Sequence, residues 1–184
     1  MPKLLLESSY EKKTLFIAQE LLGKFLVRKI GNKIIAGMIT ETEAYCGPND
    51  LASHASRGRT PRTEIMFGPP GRAYIYMIYG MYYCFNVVTE KENYPAAVLI
   101  RGVKIDSVDY KKTNGPGKLC KFLTIDRSLN SRDITVGNGR DHSLLWIEDR
   151  GVIIKPSSIQ KTPRIGVNYA GKYKNKKWRF LYNF

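Results

Sequence analysis

AYIYMIYGMYYCFNVV, residues 73 to 88, consists of two runs of β-branched and aromatic side chains on either side of one glycine, Gly80. Such residues favour strands and the glycine supplies a bend, so the stretch predicts a β-hairpin with Tyr79 beside its tip. Tyr74, Tyr76, Tyr79, Tyr82 and Tyr83 all fall within it. An aromatic wedge on a hairpin is able to enter a stacked duplex, but strand tyrosines more often fill a sheet and its borders. The stretch by itself therefore specifies a hairpin whose tyrosines fill a sheet and its borders.

Upstream, GPPGR at Gly68 to Arg72 breaks the chain before the hairpin, and Leu51 to Met66 reads as a polar, basic loop carrying His54, Arg57, Arg59 and Arg62. The loop is suited to phosphate contacts. Before the turn Gly47-Pro48-Asn49-Asp50 stands ETEAY, where strand alternation puts Glu41, Glu43 and Tyr45 on one face. Two carboxylates and a phenol together suit acid–base chemistry, although exposed acids on a solvated strand face are the commoner case. Acids are scarce in this chain, so a pair of them invites explanation. Phe25 to Ile30, Gly31-Asn32 and Lys33 to Thr42 predict a second hairpin, with Glu41 and Glu43 facing outward. Leu15, Ala18, Leu21 and Leu22 recur at helical spacing, which predicts a helix over Thr14 to Leu22 ended by Gly23.

Downstream, Lys91 to Tyr94 reads as a loop and Ala96 to Arg101 as a short apolar strand that presents Arg101 at its end. Asn114-Gly115-Pro116-Gly117 then leads into KLCKFL, a predicted helix; it is not a P-loop, because Leu119 follows Lys118. Gly137 to Arg140 reads as loop, and Leu144 to Glu148 and Val152 to Ile154 as strands. The stretch GKYKNKKWRF, residues 171 to 180, has five cations and no acid, with Tyr173, Trp178 and Phe180 interleaved. It fits backbone binding to a nucleic acid, or equally a solvated tail.

A chain of 184 residues with 43% hydrophobic content supports one core, hence a single domain over residues 1 to 184. The net charge of +14 favours a polyanionic partner through release of phosphate counterions. Solubility alone, or an anionic membrane surface, fits that charge as well. The start MPKLLLESSYEKK is charged too soon for a secretory signal and no apolar run approaches a membrane span, so an intracellular protein with no membrane partner is expected. Cys46, Cys84 and Cys120 form no CxxC pair and read as buried reduced thiols; with two histidines and no HExxH, no metal is expected.

Four motifs in this order, ETEAY (41 to 45), HASRGRTPR (54 to 62), YIYMIYGMYYCFN (74 to 86) and NGPGKLC (114 to 120), resemble the alkyladenine (3-methyladenine, methylpurine) DNA glycosylase family. The combination is specific, whereas each motif alone is weak. The resemblance implies an α+β fold: a single mixed domain around a curved antiparallel β-sheet with flanking helices and a protruding β-hairpin. It implies a monofunctional glycosylase that excises alkylated purines of the 3-methyladenine and 7-methylguanine type. No cofactor, a double-stranded DNA partner containing damaged purines, and a monomer are expected. By motif, Glu43 corresponds to the general base for the attacking water and Arg101 to a residue that helps hold that water. Tyr45, His54 and Tyr76 correspond to the enclosure of the flipped base, Asn86 to a limit on which purines fit, and Tyr79 to the side chain that fills the vacated space. These roles make chemical sense. A base inside a duplex must be extruded before it is reached, and a carboxylate near the sugar both activates water and offsets developing positive charge. Two other classes compete: a non-catalytic single-strand binding domain, which leaves ETEAY without a role, and a metal-dependent nuclease built on Glu41, Glu43 and Asp50.

Overall fold

Residues 25 to 45 build the spine of the molecule. The computed structural model, which describes residues 1–135 and 144–184, forms the predicted second hairpin as β2 (Phe25–Ile30) and β3 (Lys33–Tyr45), with Ile30 paired to Lys33 across Gly31-Asn32. β3 is the longest strand described, at 13 residues, and its second half is buried on both faces, with Thr40, Glu41, Thr42 and Glu43 all out of solvent. One edge of β3 is shared: Lys33 to Met38 pair with β2, and Glu41 to Glu43 pair with β9 (Arg179–Tyr182). Its other edge pairs from Met38 to Tyr45 with β6 (Ala97–Lys104). The register shifts on both sides of Glu41, a bulge that turns the strand where the acids lie.

The remaining described strands are β1 (Lys3–Leu4), β4 (Ala73–Ile78), β5 (Tyr82–Val88), β7 (Leu145–Asp149) and β8 (Ile159–Thr162). All pairings are antiparallel, in the order β1-β7-β2-β3-β6-β5-β4, with β8 joined to β9. The result is one domain around a curved antiparallel sheet with two helices, the expected α+β fold.

Helix α1 (Thr14–Glu20) is two residues shorter than its periodicity predicts, since Leu21 and Leu22 form the turn into Gly23. Ile17, Ala18, Leu21 and Leu22 pack with Ile39, Ala44, Val98 and Ile100 into the main core. The hydroxyl of Thr42 donates to the Ala18 carbonyl at 2.6 Å, so the buried strand and helix satisfy each other's polar groups. Helix α2 (Pro116–Phe122) lays Leu119 and Cys120 on the same core. Gly117 allows the close approach of α2 to the hairpin, because a Cβ there would sit 2.9 Å from Cβ of Tyr82.

Three sequence expectations need correction. Arg101 lies inside β6, not at its end, because the pairing with β3 continues through Gly102 to Lys104. Val152 to Ile154 is not a strand: both edges of β7 are already taken by β1 and β2, and Ile154 packs beside Gly23 instead. Part of the basic end is no tail, since Arg179 to Tyr182 is β9, paired between β3 and β8. The loop expected at Gly137 to Arg140 lies outside the described residues. Among the described residues no helix is long and apolar enough to cross a membrane. Cys84 and Cys120 are buried free thiols, and Cys46 is partly buried and also free.

Candidate active site

A cavity of about 170 Å³ opens between the hairpin, β3, β6 and the segment around residue 166; Tyr45, His54, Tyr74, Tyr76, Asn86 and Arg101 line it. Strand alternation explains most of this set. Tyr74 and Tyr76 point to one face of β4 (Ala73–Ile78), and Asn86 lies opposite Tyr74 on β5. Their rings stand 5.2 Å apart. His54, in a short 3₁₀ turn begun by Ser53, meets Tyr76 edge to face at 4.6 Å and exchanges a 2.9 Å hydrogen bond through Nδ1 with the Tyr74 hydroxyl. Burial, with Arg62 and Arg57 nearby, pushes the His54 imidazole down to about 4, so it is neutral at neutral pH. The Asn86 amide donates to the carbonyls of Tyr74 (3.0 Å) and Cys84 (3.4 Å), which leaves its oxygen as the acceptor it can offer to the cavity. The Arg62 guanidinium lies 5.0 Å over the Tyr76 ring. Cys84 also lines the cavity, and burial raises its thiol to about 11, which keeps it protonated and a poor nucleophile.

Glu43 is 0% exposed, not outward as the alternation alone predicts. The face it occupies is covered: its Oε1 accepts from the backbone N–H of Ile165 at 2.8 Å, its Oε2 accepts from the Tyr45 hydroxyl at 2.9 Å, and Arg101 Nη1 stands 3.5 Å from Oε2. All three of those residues line the cavity, so the carboxylate sits one contact behind its wall. Burial raises the Glu43 carboxyl above the ordinary glutamate value against the opposing pull of Arg101 and its two hydrogen bonds. Burial, and then the charge of Glu43, holds the Tyr45 phenol well above its usual range, so Tyr45 is the donor in this pair.

Tyr79 stands at the cavity mouth and is 84% exposed. It occupies the turn between Ile78 and Tyr82 with φ +51°, followed by Gly80 at φ +69°, and the N–H of Met81 closes the turn on the Ile78 carbonyl at 3.2 Å. Two successive residues with positive φ are what a hairpin turn of the primed type needs, and a tyrosine is an uncommon choice for the first.

The structure brings together all seven residues singled out from the sequence: Glu43, Arg101, Tyr45, His54, Tyr76, Asn86 and Tyr79. It also recruits residues that sequence reading missed. Arg164 has a 0% exposed side chain, pairs with both oxygens of Asp50 and donates to the Ala44 carbonyl. Its guanidinium lies between the rings of Tyr45 and Trp178, at 4.8 and 5.0 Å. That pair anchors the segment whose Ile165 amide holds Glu43. The only local signal was Pro163-Arg164-Ile165-Gly166, a turn-like setting around one cation. Asp50 is thus committed to Arg164, and Glu41 to Arg101 and Arg179, rather than converging with Glu43 as a nuclease centre would require. Among the described residues no group of three or more His, Cys, Asp or Glu is arranged to hold a metal ion.

The sequence matches the family described as methylpurine-DNA glycosylase over residues 8–183. A relative from Methanocella arvoryzae (strain MRE50), provisionally named a 3-methyladenine DNA glycosylase, is 46% identical over 93% of this chain and 88% of its own length. One from Legionella pneumophila (strain Paris), with the same provisional name, is 46% identical over 96% of this chain and 92% of its own. One from Wolbachia pipientis subsp. Culex pipiens (strain wPip), again so named, is 49% identical over 93% and 85%.

Proposed function

Because the chain belongs to the methylpurine-DNA glycosylase family, and is accordingly a DNA glycosylase of the 3-methyladenine type, we propose that it extrudes an alkylated purine from duplex DNA into the aromatic cavity and hydrolyses its N-glycosidic bond with a water activated by Glu43. One observation carries this reading: a fully buried carboxylate is held by three residues of an aromatic cavity wall, beneath an exposed tyrosine at a hairpin tip. Alkylation at N3 or N7 leaves the purine electron-poor, so the rings of Tyr45 and Tyr76 stack on it favourably and the base leaves more readily. The 3.5 Å between Arg101 Nη1 and Glu43 Oε2 is long for a direct bond, and Arg101, which lines the cavity, is placed to help hold the attacking water from the cavity side. Glu43 takes the water's proton as its oxygen bonds to the anomeric carbon, and the glycosidic electron pair leaves with the purine. The Asn86 oxygen faces the bound base and repels acceptors placed opposite it, which limits the purines that fit. No lysine lines the cavity among the described residues, so water, not an amine, is the nucleophile and borohydride traps no protein–DNA adduct.

The test is incubation with methylated duplex DNA in EDTA, followed by chromatography of free bases. Release of 3-methyladenine or 7-methylguanine is expected. Intact bases, or strand cleavage that EDTA abolishes, would refute the reading.

The protein acts on DNA as a monomer, and phosphate contacts from exposed cations dominate its affinity. Arg57, Arg59, Lys172, Lys174, Lys176 and Lys177 are all exposed. Affinity for duplex DNA is therefore expected to fall steeply with salt, and replacing Lys174 or Lys176 should weaken binding modestly and reduce the log–log salt slope by about one unit where that lysine meets a phosphate. An affinity indifferent to salt would count against the interface.

Tyr79→Gly is expected to impair excision without loss of stability. Relief of the positive φ, worth about 1–2 kcal/mol, offsets glycine's entropic cost of roughly 0.5–1 kcal/mol, whereas the vacated space in the duplex loses its plug. The defect should shrink on a looped or mismatched lesion, where extrusion is easier. An equal defect in both contexts, with an unchanged melting temperature, would assign Tyr79 to some other step.

A further inference from the structure

The charges around the cavity wall alternate through residues from three strands. Glu41 Oε1 accepts from Arg101 Nε on β6 at 2.8 Å and from Arg179 Nε on β9 at 2.6 Å, while the same Arg101 reaches toward Glu43 only through Nη1 at 3.5 Å. Glu41 and Arg101 side chains are both 11% exposed, and Glu43 is sealed, so little solvent screens these pairs. Attraction in so dry a place draws a guanidinium into direct contact with a free carboxylate. Arg101 nevertheless stands off from Glu43, and the anchor that holds it back is Glu41. The bulge in β3 at Glu41 aims that side chain between the two arginines, where the register sets Glu43 opposite Arg179.

We propose that Glu41 is a positioning residue: by anchoring Arg101 through Nε, and by sharing its own oxygen with Arg179, it prevents Arg101 from pairing directly with Glu43 and so keeps that carboxylate free to take the proton of the attacking water. The inference rests on the reading of Glu43 as the base. The ionisable groups that face Glu43 are Glu41 and Tyr45 on its own strand, Arg101 from β6, Arg179 from β9, Tyr76 from β4, Cys84 from β5, and Arg164 from the covering segment, itself paired with Asp50 of the turn after β3. Of these, Arg101 is the cation that Glu41 holds by its Nε and whose direct pairing with Glu43 would occupy the carboxylate oxygen and lower its basicity.

Single-turnover excision over a range of pH, for Glu41→Gln, Arg101→Met and the double variant, tests this. Glu41→Gln should lower the plateau rate on the order of 10²-fold with lesion-DNA affinity retained, because a reacting group is displaced rather than removed. Its acid limb should move to lower pH, as Arg101 closes on Glu43 and a like charge is lost. In the Arg101→Met background the same change should cost no further plateau rate, since a residue acting only through Arg101 has nothing left to position. Penalties that multiply in the double variant, or an unchanged plateau in Glu41→Gln, overturn the proposal. If the Gln variant fails to fold, Glu41→Asp keeps the charge between the arginines but falls one methylene short, and should show the same plateau loss. A Glu43→Gln enzyme that excises normally would defeat the base reading itself; an inactive Glu43→Gln beside a full-rate Glu41→Gln would defeat only this inference.

Discussion

Glu43→Gln is expected to slow base release by about 10² to 10⁴-fold while lesion binding persists. Gln keeps the shape and can still accept from the Ile165 amide, but it cannot take a proton from water, and it removes the negative charge beside the sugar as positive character develops there. The pH dependence gives a second reading of the same residue. Burial raises the Glu43 carboxyl above the ordinary glutamate value, whereas His54 lies at about 4, so the acid limb of kcat/KM in the parent enzyme should belong to Glu43 and lie above the ordinary glutamate range. The linkage to stability has a definite sign. A group that binds its proton more tightly when folded contributes stability that is fully present below its unfolded value and is lost as pH rises through its folded value. The parent should therefore lose thermal stability relative to Glu43→Gln as pH rises from the ordinary glutamate value through the raised one, so that the base is maintained at some cost to the fold. A Gln variant that excises near the parental rate, or a melting-temperature difference of the opposite slope, would remove Glu43 from the centre of the mechanism.

The second large effect lies behind the wall. Asp50→Ala is expected to destabilise the protein by about 3–5 kcal/mol, because it strands a guanidinium whose side chain is 0% exposed. Asp50 also accepts the backbone N–H groups of Cys46 and Ala52, both at 3.1 Å, so its loss loosens the loop that leads to His54. Replacing both partners by apolar residues of similar size, Asp50→Leu with Arg164→Met, should recover much of that stability, since the costly species is the unpaired charge and not the absence of the pair. Chemical denaturation of the two single variants and the double variant measures this directly. Single variants that lose less than about 1 kcal/mol, the value usual for an exposed pair, would show that Arg164 is not sealed in solution.

Chain order alone determined what short-range physics can specify. Aromatic and β-branched residues on either side of Gly80 produced the hairpin and the tip position of Tyr79; the Gly31-Asn32 turn produced the β2–β3 pair; and ETEAY placed Glu41, Glu43 and Tyr45 on one face of β3. Each depends on residues a few positions apart. Whether that face meets water or protein is another matter. It is decided by Arg164 and Ile165, which reach Asp50 and Glu43 from 114 and 122 residues away, and by Arg179, which reaches Glu41 from 138. A basic run such as GKYKNKKWRF gives no local sign that its last residues enter the sheet, because edge pairing depends on which backbone is left free beside β3. The sequence could offer a carboxylate. Only the tertiary structure could take it out of water, raise its pKa and fix the guanidinium 3.5 Å from it, because desolvation and charge pairing are set by every neighbour in space and not by neighbours along the chain.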